Sequence, residues 1–528
     1  MLFHFVIIPI LIAVFLYLFP YSKIVRIIAI ISQLALVYLA VDLFSVTRTE
    51  TIIVGIGNFD SVLGIVLRAD NLSSMFILLT SFIYLIAAIY SFHENNSRLF
   101  WFLLFVWEGL LLGIFLSCDL FNIFVLLEVA TVAVAVLIMF NRSNRSMYDG
   151  MIYLMINVVV IQFYLFGIGY IYKLTGVLDI YSAAEAISTM DSSELLLPYA
   201  LIMTAIALKC AMVPLFNWLP KAHGTPGAPS SVSAILSGLH IKGAVYLFIR
   251  VQTLFSGTAM REFFLAAGII TGIMGLILAL SQTDIKRILA FSTISQIGLI
   301  IIGLNVQDIY TFTGSLYHII NHALFKSALF LGAGIIINMY KTRDINKISG
   351  LFKLSPLLGT VTIMAIFGIT GVPLFNGSIS KFFIVSGTNR LISAAIIIIN
   401  LGTITLFIKY AAILFGKPPS SLKGIKPADT FQQAAVTILG ALCFAAGIFG
   451  EEFINLFFNV HLTVDPAGFL EKAVLFAGSL ITGFLLYKFY INKSVLLKRI
   501  SEIDIGFRGM CISIGIFFGI IMLYGRIF

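Results

Sequence analysis

ALKCAMVPLFNWLPKAHGTPGAPSSVSAILSGLHIK, residues 207–242, is the stretch that decides how the chain is read. In an otherwise apolar protein it gathers Lys209, Pro214, Pro220, Lys221, His223, His240 and Lys242. A lysine in the middle of a membrane helix costs about 2.5–3.5 kcal/mol on insertion scales, so Lys209 and Lys242 require internal partners or water. Pro214 removes a backbone donor shortly after Lys209 and opens the helix. At membrane depth that is tolerated only where the freed groups line a cavity. The stretch predicts a charged, broken helix beside a charged, intact one.

The device recurs. Val213-Pro214-Leu215-Phe216-Asn217 is matched letter for letter by Val372-Pro373-Leu374-Phe375-Asn376, with Lys381 close behind. Paired helix breaks in two halves of a chain point to an ion or substrate path through an internally repeated transporter. The halves are residues 98–251 and 262–415, each with five spans and the broken one fourth, at about 194–219 and 354–384. An odd number of spans per block predicts an inverted repeat, flanked by N-terminal helices over 1–97 and C-terminal helices over 416–528. The fold class is therefore all-α and polytopic, with about 14–16 transmembrane helices.

Composition bounds the function. Of 528 residues, 60% are hydrophobic and 11% charged, which leaves no room for a soluble domain. The formal charge of +9 comes from single Lys and Arg between apolar runs, so it predicts loop topology and no nucleic-acid partner. Lys23 and Arg26, Arg98, Arg142 and Arg145, Lys221, Lys286 and Arg287, Lys341 to Lys347, Lys417 to Lys426, and Lys493 to Arg499 fall in alternate loops. Those loops are expected on the cytoplasmic side of a prokaryotic inner membrane, which puts both termini outside. The N-terminus lacks a basic leader and a cleavage site, so it reads as a retained helix. Cys118, Cys210, Cys443 and Cys511 are isolated, with neither disulfide nor metal-ligand spacing. No nucleotide loop, iron-sulfur set, haem motif or nucleophile-base arrangement occurs, so no cofactor or metal is expected in this chain.

What remains is titratable groups in apolar helices. Glu128 has no charge within eight residues and is expected to be neutral or paired, with Lys209 as its partner. His318, His322 and Lys326 recur every four residues, which stacks them on one helical face. Two histidines at that spacing suit zinc, but there is no third ligand and no glutamate between them. A ladder passing protons fits better, with Lys381 continuing it. Glu108, His240 and Lys409 are additional candidates, Lys409 as the second block's counterpart of Lys242. Lys221 and Lys286 read as snorkelling interfacial lysines, and Asp284 with Lys286 and Arg287 as an anchor.

LFNWLPKAHGTPGAPSSVSAILSGLHIKGAVYLFIR, QTDIKRILAFSTISQIG, HIINHALFKSALFLGAG, GVPLFNGSISKFF and CDLFNIFVLLEV resemble signature stretches of one family. It is that of the antiporter-like subunits shared by respiratory complex I, group 4 membrane-bound [NiFe] hydrogenases and Mrp-type sodium/proton antiporters. The resemblance covers about residues 98–415 in the family's order. It implies that Glu128 and Lys209 are an ion pair, Lys242 the central lysine, His318, His322 and Lys326 the lining between half-channels, and Lys381 the terminal group. Gln296 lies where some relatives carry histidine. The resemblance further implies a subunit without a long lateral helix, other membrane subunits and the lipid bilayer as partners, and H⁺, with or without Na⁺, as the ion moved. Any enzyme activity would belong to a parent oxidoreductase rather than to this chain, and the Ser-rich APSSVSAILSG leans toward the hydrogenase-like or Mrp-like branch. The alternatives are a stand-alone secondary transporter of a small solute, which would need a pocket rather than a row of charges, and a membrane enzyme, which would need cofactor ligands.

Overall fold

Apolar runs of about 20 residues become helices because lipid offers backbone groups no other partner. The computed structural model describes residues 2–19, 23–58, 64–94, 96–258, 260–419 and 428–527. Lys423 and Lys426, assigned above to a cytoplasmic loop, lie outside the described residues. The first block follows α1 (His4–Leu18), α2 (Lys23–Thr47) and α3 (Asn71–Tyr90). It comprises α4 (Arg98–Leu116), α5 (Leu120–Ile138), α6 (Asn144–Thr175), the short α7 (Ile180–Ile187), α8 (Ser192–Lys209), α9 (Trp218–Gly224), α10 (Ser230–Ile235) and α11 (Ile241–Leu254). The second comprises α12 (Arg261–Ser281), α13 (Ile285–Asn305), α14 (Ile309–Tyr340), the short α15 (Leu351–Leu354), α16 (Pro356–Thr370), α17 (Asn376–Ser386) and α18 (Arg390–Ala411). Then come α19 (Thr430–Ile448), α20 (Gly450–Phe458), α21 (Pro466–Phe489), α22 (Val495–Ser501) and α23 (Phe507–Ile527).

Among the described residues, 14 helices are long and apolar enough to cross a membrane, and α1 and α16 are shorter apolar helices. The chain is an integral membrane protein of the expected helical class. One element departs from it: β1 (Ile52–Gly55) pairs antiparallel with β2 (Val66–Ala69), Ile52 opposite Ala69. The β-branched Ile-Ile-Val run between two spans is too short to cross the membrane, so it satisfies its backbone by pairing.

Helix starts are fixed by polar caps. Asp70, Ser97, Asp119, Ser143, Asp179, Asp191 and Asp284 each accept a backbone N–H from the first turn that follows. Two of these caps pair with others at the same sequence spacing in each block. Asp119 bridges to Asp179 and Asp284 to Asp344, with Ile180 N donating to Cys118 O and Ile345 N to Thr283 O. The same 60-residue spacing thus occurs once in each block.

The centre belongs to α13 and α14, which are enclosed on every side by other helices. α13 reaches α12 through a glycine seam: a Cβ on Gly298 would stand 2.3 Å from Gly272 N and 2.6 Å from Gly268 O. Only hydrogen fits there, which lets the backbones touch. α2, α21 and α23 lie at the periphery and expose Leu34, Tyr38, Leu470, Val474, Ile481 and Leu523.

Both predicted breaks are present, in different geometry. The first runs over residues 210–217, with Ala211 at φ 54° and a cis Val213–Pro214 bond; the second over 371–375, with Gly371 at φ 83° and Leu374 at φ 72°. The identical pentapeptides therefore fold differently. The helix expected to be intact over 230–251 runs unbroken from Ser230 to Leu254, with a π-turn at Leu236–His240 joining α10 to α11. The wider turn turns a carbonyl toward Lys242, a contact that α-helical pattern reading cannot see.

Candidate ion path

Glu128 projects from α5 one turn before Thr131, and Lys209 ends α8 against the first break. The expected ion pair is within electrostatic reach but not in direct contact. Lys209 Nζ donates to Thr131 Oγ1 at 2.9 Å, while Glu128 Oε2 is buried without a hydrogen-bond partner. Lys209 is therefore held by Thr131 rather than by Glu128. Glu128 is half-buried, whereas Lys209 is buried.

His240 is next, held from both sides by Trp107 Nε1 donating to its Nδ1 at 3.3 Å and by Tyr153 OH 3.3 Å from its Nε2. Lys209 is the cation in its electrostatic reach. Lys242 is completely buried, and its Nζ donates to the Ser237 carbonyl of the π-turn. Gly238 permits this turn to lie against α14, since a Cβ there would meet Ser327 Oγ at 2.5 Å.

On α14 the three predicted residues share one face and are fully buried. Lys326 Nζ donates to Leu289 O at 2.9 Å and to Ser292 Oγ. His322 has no partner on either ring nitrogen, and its ring lies 6.4 Å from that of His318. His318 bonds Ser380 Oγ through Nδ1 at 2.9 Å and Gln296 Oε1 through Nε2 at 3.1 Å. Gln296 in turn donates to Thr403 at 3.4 Å, so this position keeps its place in the polar row without a titratable group. Lys381, five residues into α17, donates to Ile369 O at 2.6 Å and Asn400 Oδ1 at 2.8 Å. It lines a cavity of about 130 Å³ with Gly371, Pro373, Asn400 and Lys472.

Other expected residues stand apart from this row. Lys409 donates to Leu280 O and Gln282 O at 2.8 and 2.6 Å, where it caps the negative end of α12. Glu108 is wholly buried and receives Gln33 Nε2 at 2.6 Å, with Tyr84 nearby. Lys221 and Lys286 do not snorkel: they are 6% and 5% exposed. Lys221 pairs with Asp504 from the loop before α23, and Lys286 donates to Ala228 O at 2.9 Å, because loops fold over both. Asp284 anchors as expected, capping α13 and pairing with Arg343 at 2.8 Å.

The arrangement is a row of enclosed titratable side chains. Among the described residues, no group of three His, Cys, Asp or Glu is placed to hold a metal. Lys242, Lys326 and Lys381 find carbonyls, hydroxyls and an amide but no carboxylate, so each is hydrogen-bonded without an ion pair. Sequence reading missed Thr131, Ser237, Ser380 and Asn400, whose types are common in any helix, and Asp504, which is remote in sequence from Lys221.

The family described as NADH:quinone oxidoreductase/Mrp antiporter, TM matches residues 117–408, more than half of the chain. The chain belongs to this family. This antiporter-family chain is 30% identical over 419 residues to a Na⁺/H⁺ antiporter subunit from Alkalihalophilus pseudofirmus, covering 76% of this chain and 84% of that one. It is also 30% identical over 343 residues to a Na⁺/H⁺ antiporter subunit from Bacillus subtilis, covering 63% and 69%. Its fold superposes on a chain of the Mrp complex of Dietzia sp. with a TM-score of 0.80 at 22% identity, covering 90% and 99%. A chain of an archaeal membrane-bound sulfane sulfur reductase gives 0.81 at 22% identity, covering 90% and 98%.

Proposed function

We propose that this chain is an ion-translocating subunit of a multisubunit membrane complex, moving protons through the row of Lys209, Lys242, Lys326, His322, His318 and Lys381. The observation that carries the reading is that row of enclosed titratable groups running between the two helix breaks. The relatives named as Na⁺/H⁺ antiporter subunits support an Mrp-type assembly, and the Lys and Arg residues in alternate loops support a prokaryotic cytoplasmic membrane with both termini outside.

The mechanism is electrostatic. Lys209 reaches His240, two residues before Lys242, and Lys242 in turn reaches Lys326. When Glu128 turns away from Lys209, the uncompensated ammonium repels protons on the groups beyond; when it returns, their proton affinity recovers. Two charges ~10 Å apart at an effective dielectric of ~20 interact by about 1.7 kcal/mol, more than a tenfold change in proton binding. That is enough to bias a release step. Movement in a partner subunit would drive the Glu128 swing.

Glu128→Gln and Lys242→Ala, made in the complete complex and reconstituted into vesicles, are expected to abolish proton transport while the complex still assembles. Normal transport by both variants would refute the assignment.

A further inference from the structure

Glu108 stands outside the row and has no role in it. It sits midway along α4 and is completely buried. Its Oε2 accepts from Gln33 Nε2 of α2 at 2.6 Å, while its Oε1 meets no donor. Gln33 Oε1 and the hydroxyl of Tyr84, on α3, are likewise completely buried and unbonded. Tyr84 is the titratable group within electrostatic reach of the carboxyl, and among the described residues no side-chain cation reaches it. α2, α3 and α4 thus each bring one unpartnered oxygen to the same carboxyl.

A buried carboxylate with no countercharge is too costly to stand alone in a membrane interior, so this one must take up a positive charge. A proton on Glu108 could donate to only one of the remaining oxygens, whereas a metal ion serves all of them at once. The donors are carboxylate, amide and phenol, all oxygen, which suits a hard cation rather than a soft one. One negative charge balances one positive charge, which favours a monovalent ion over Mg²⁺ or Ca²⁺. We propose that Glu108, Gln33 and Tyr84 form a binding site for Na⁺, separate from the proton row. An N–H cannot face a metal ion, so the Gln33 amide turns over on binding and presents Oε1 where Nε2 now meets Glu108. Na⁺ and a proton then compete for one carboxyl. Trp107, the neighbour of Glu108 in sequence, joins the site to the row. Its ring meets that of Tyr84 edge-on with centroids 6.3 Å apart, and its Nε1 donates to His240, which Lys209 reaches electrostatically. This rests on the ion-moving reading above and adds to it the place where a second ion is held.

The test is equilibrium binding of radioactive sodium to the purified whole complex in a choline buffer. Glu108→Gln is expected to bind one sodium fewer per copy of this chain than wild type. Tyr84→Phe removes a hydroxyl that bonds nothing in the fold, so it tests the ligand without disturbing the packing. Its sodium affinity should fall by about tenfold. Unaltered stoichiometry in Glu108→Gln would overturn the site; should that variant fail to assemble, unaltered affinity in Tyr84→Phe would do so. Lys242→Ala is expected to stop proton transport and keep the sodium. If wild type moves no protons while Glu108→Gln still loses its sodium, the proton-moving reading falls and the site stands. If wild type pumps and Glu108→Gln keeps every sodium, only the site falls.

Discussion

Lys326 and Lys409 show how two lysines in apolar helices come to differ in kind. Lys326 is wholly enclosed, bonded to Leu289 O and Ser292, and flanked along one face by His322. Lys409 is only partly covered and is spent on the last carbonyls of α12. Replacing Lys326 by Met is expected to stop transport. Lys409→Met removes a helix-end charge worth about 0.3–1 kcal/mol. It should lower the melting temperature slightly in detergent and leave vesicle transport in place. A parallel melt and flux measurement on the two variants checks both. The charged members of the row were legible in the sequence because a lysine or histidine in an apolar run has few reasons to be there. Thr131 was not, since a threonine is as common in lipid-facing helix as beside a buried lysine.

At the scale of elements, the glycine seam and the C-terminal loop each make a separate claim. Gly298→Ala places a methyl group against the backbone of Gly272 and Gly268, so α12 and α13 must part; overpacking of this kind costs about 1–3 kcal/mol. Thermal unfolding of the variant complex should show that loss. The loop before α23 is tied down by Asp504 to Lys221 and Arg145, and by Asn217 Nδ2 donating to Ile505 O at 2.6 Å. Partial burial raises the Asp504 carboxyl, but the Lys221 hydrogen bond and the charges of Lys221, Arg145 and Arg287 outweigh it and hold it below the ordinary range. A depressed carboxyl stabilises above its ordinary titration range and ceases to do so as pH falls through the folded value. Limited proteolysis of the loop should therefore be slow and unchanging from pH 8 to about 5 in wild type. In Asp504→Asn it should be faster throughout. The two breaks were readable from proline and repetition, whereas the π-turn was not, because residues 236–240 follow an ordinary helical pattern and only the approach of Gly238 to Ser327 explains their wider turn. The β1–β2 hairpin was lost for another reason: four-residue strands lie below the length at which alternation can be told from a loop.

For the whole molecule, the outward faces of α2, α21 and α23 carry large apolar side chains over much of their length, which lipid or neighbouring subunits must cover. Extraction in mild detergent is expected to yield a complex heavier than this 58.1 kDa chain. Mass spectrometry with metal analysis should find small membrane subunits without redox metal if the assembly is of the Mrp type. Isolation as a lone chain would count against a multisubunit role. The lysines of the interior have one more consequence for how such a protein varies. Lys242, Lys286, Lys326 and Lys381 each rest on a main-chain oxygen, of Ser237, Ala228, Leu289 and Ile369. Mutating any of those four residues leaves its oxygen where it was. Alanine at Ser237, Leu289 or Ile369 should therefore spare the lysine's main-chain contact, whereas alanine at Ser292 or Asn400 removes a side-chain one, and sensitivity should gather there and at the glycines and prolines that bend the backbone. The main-chain binding groups are inherited through the shape of the chain, and relatives can drift at the residues that carry them while keeping the oxygens.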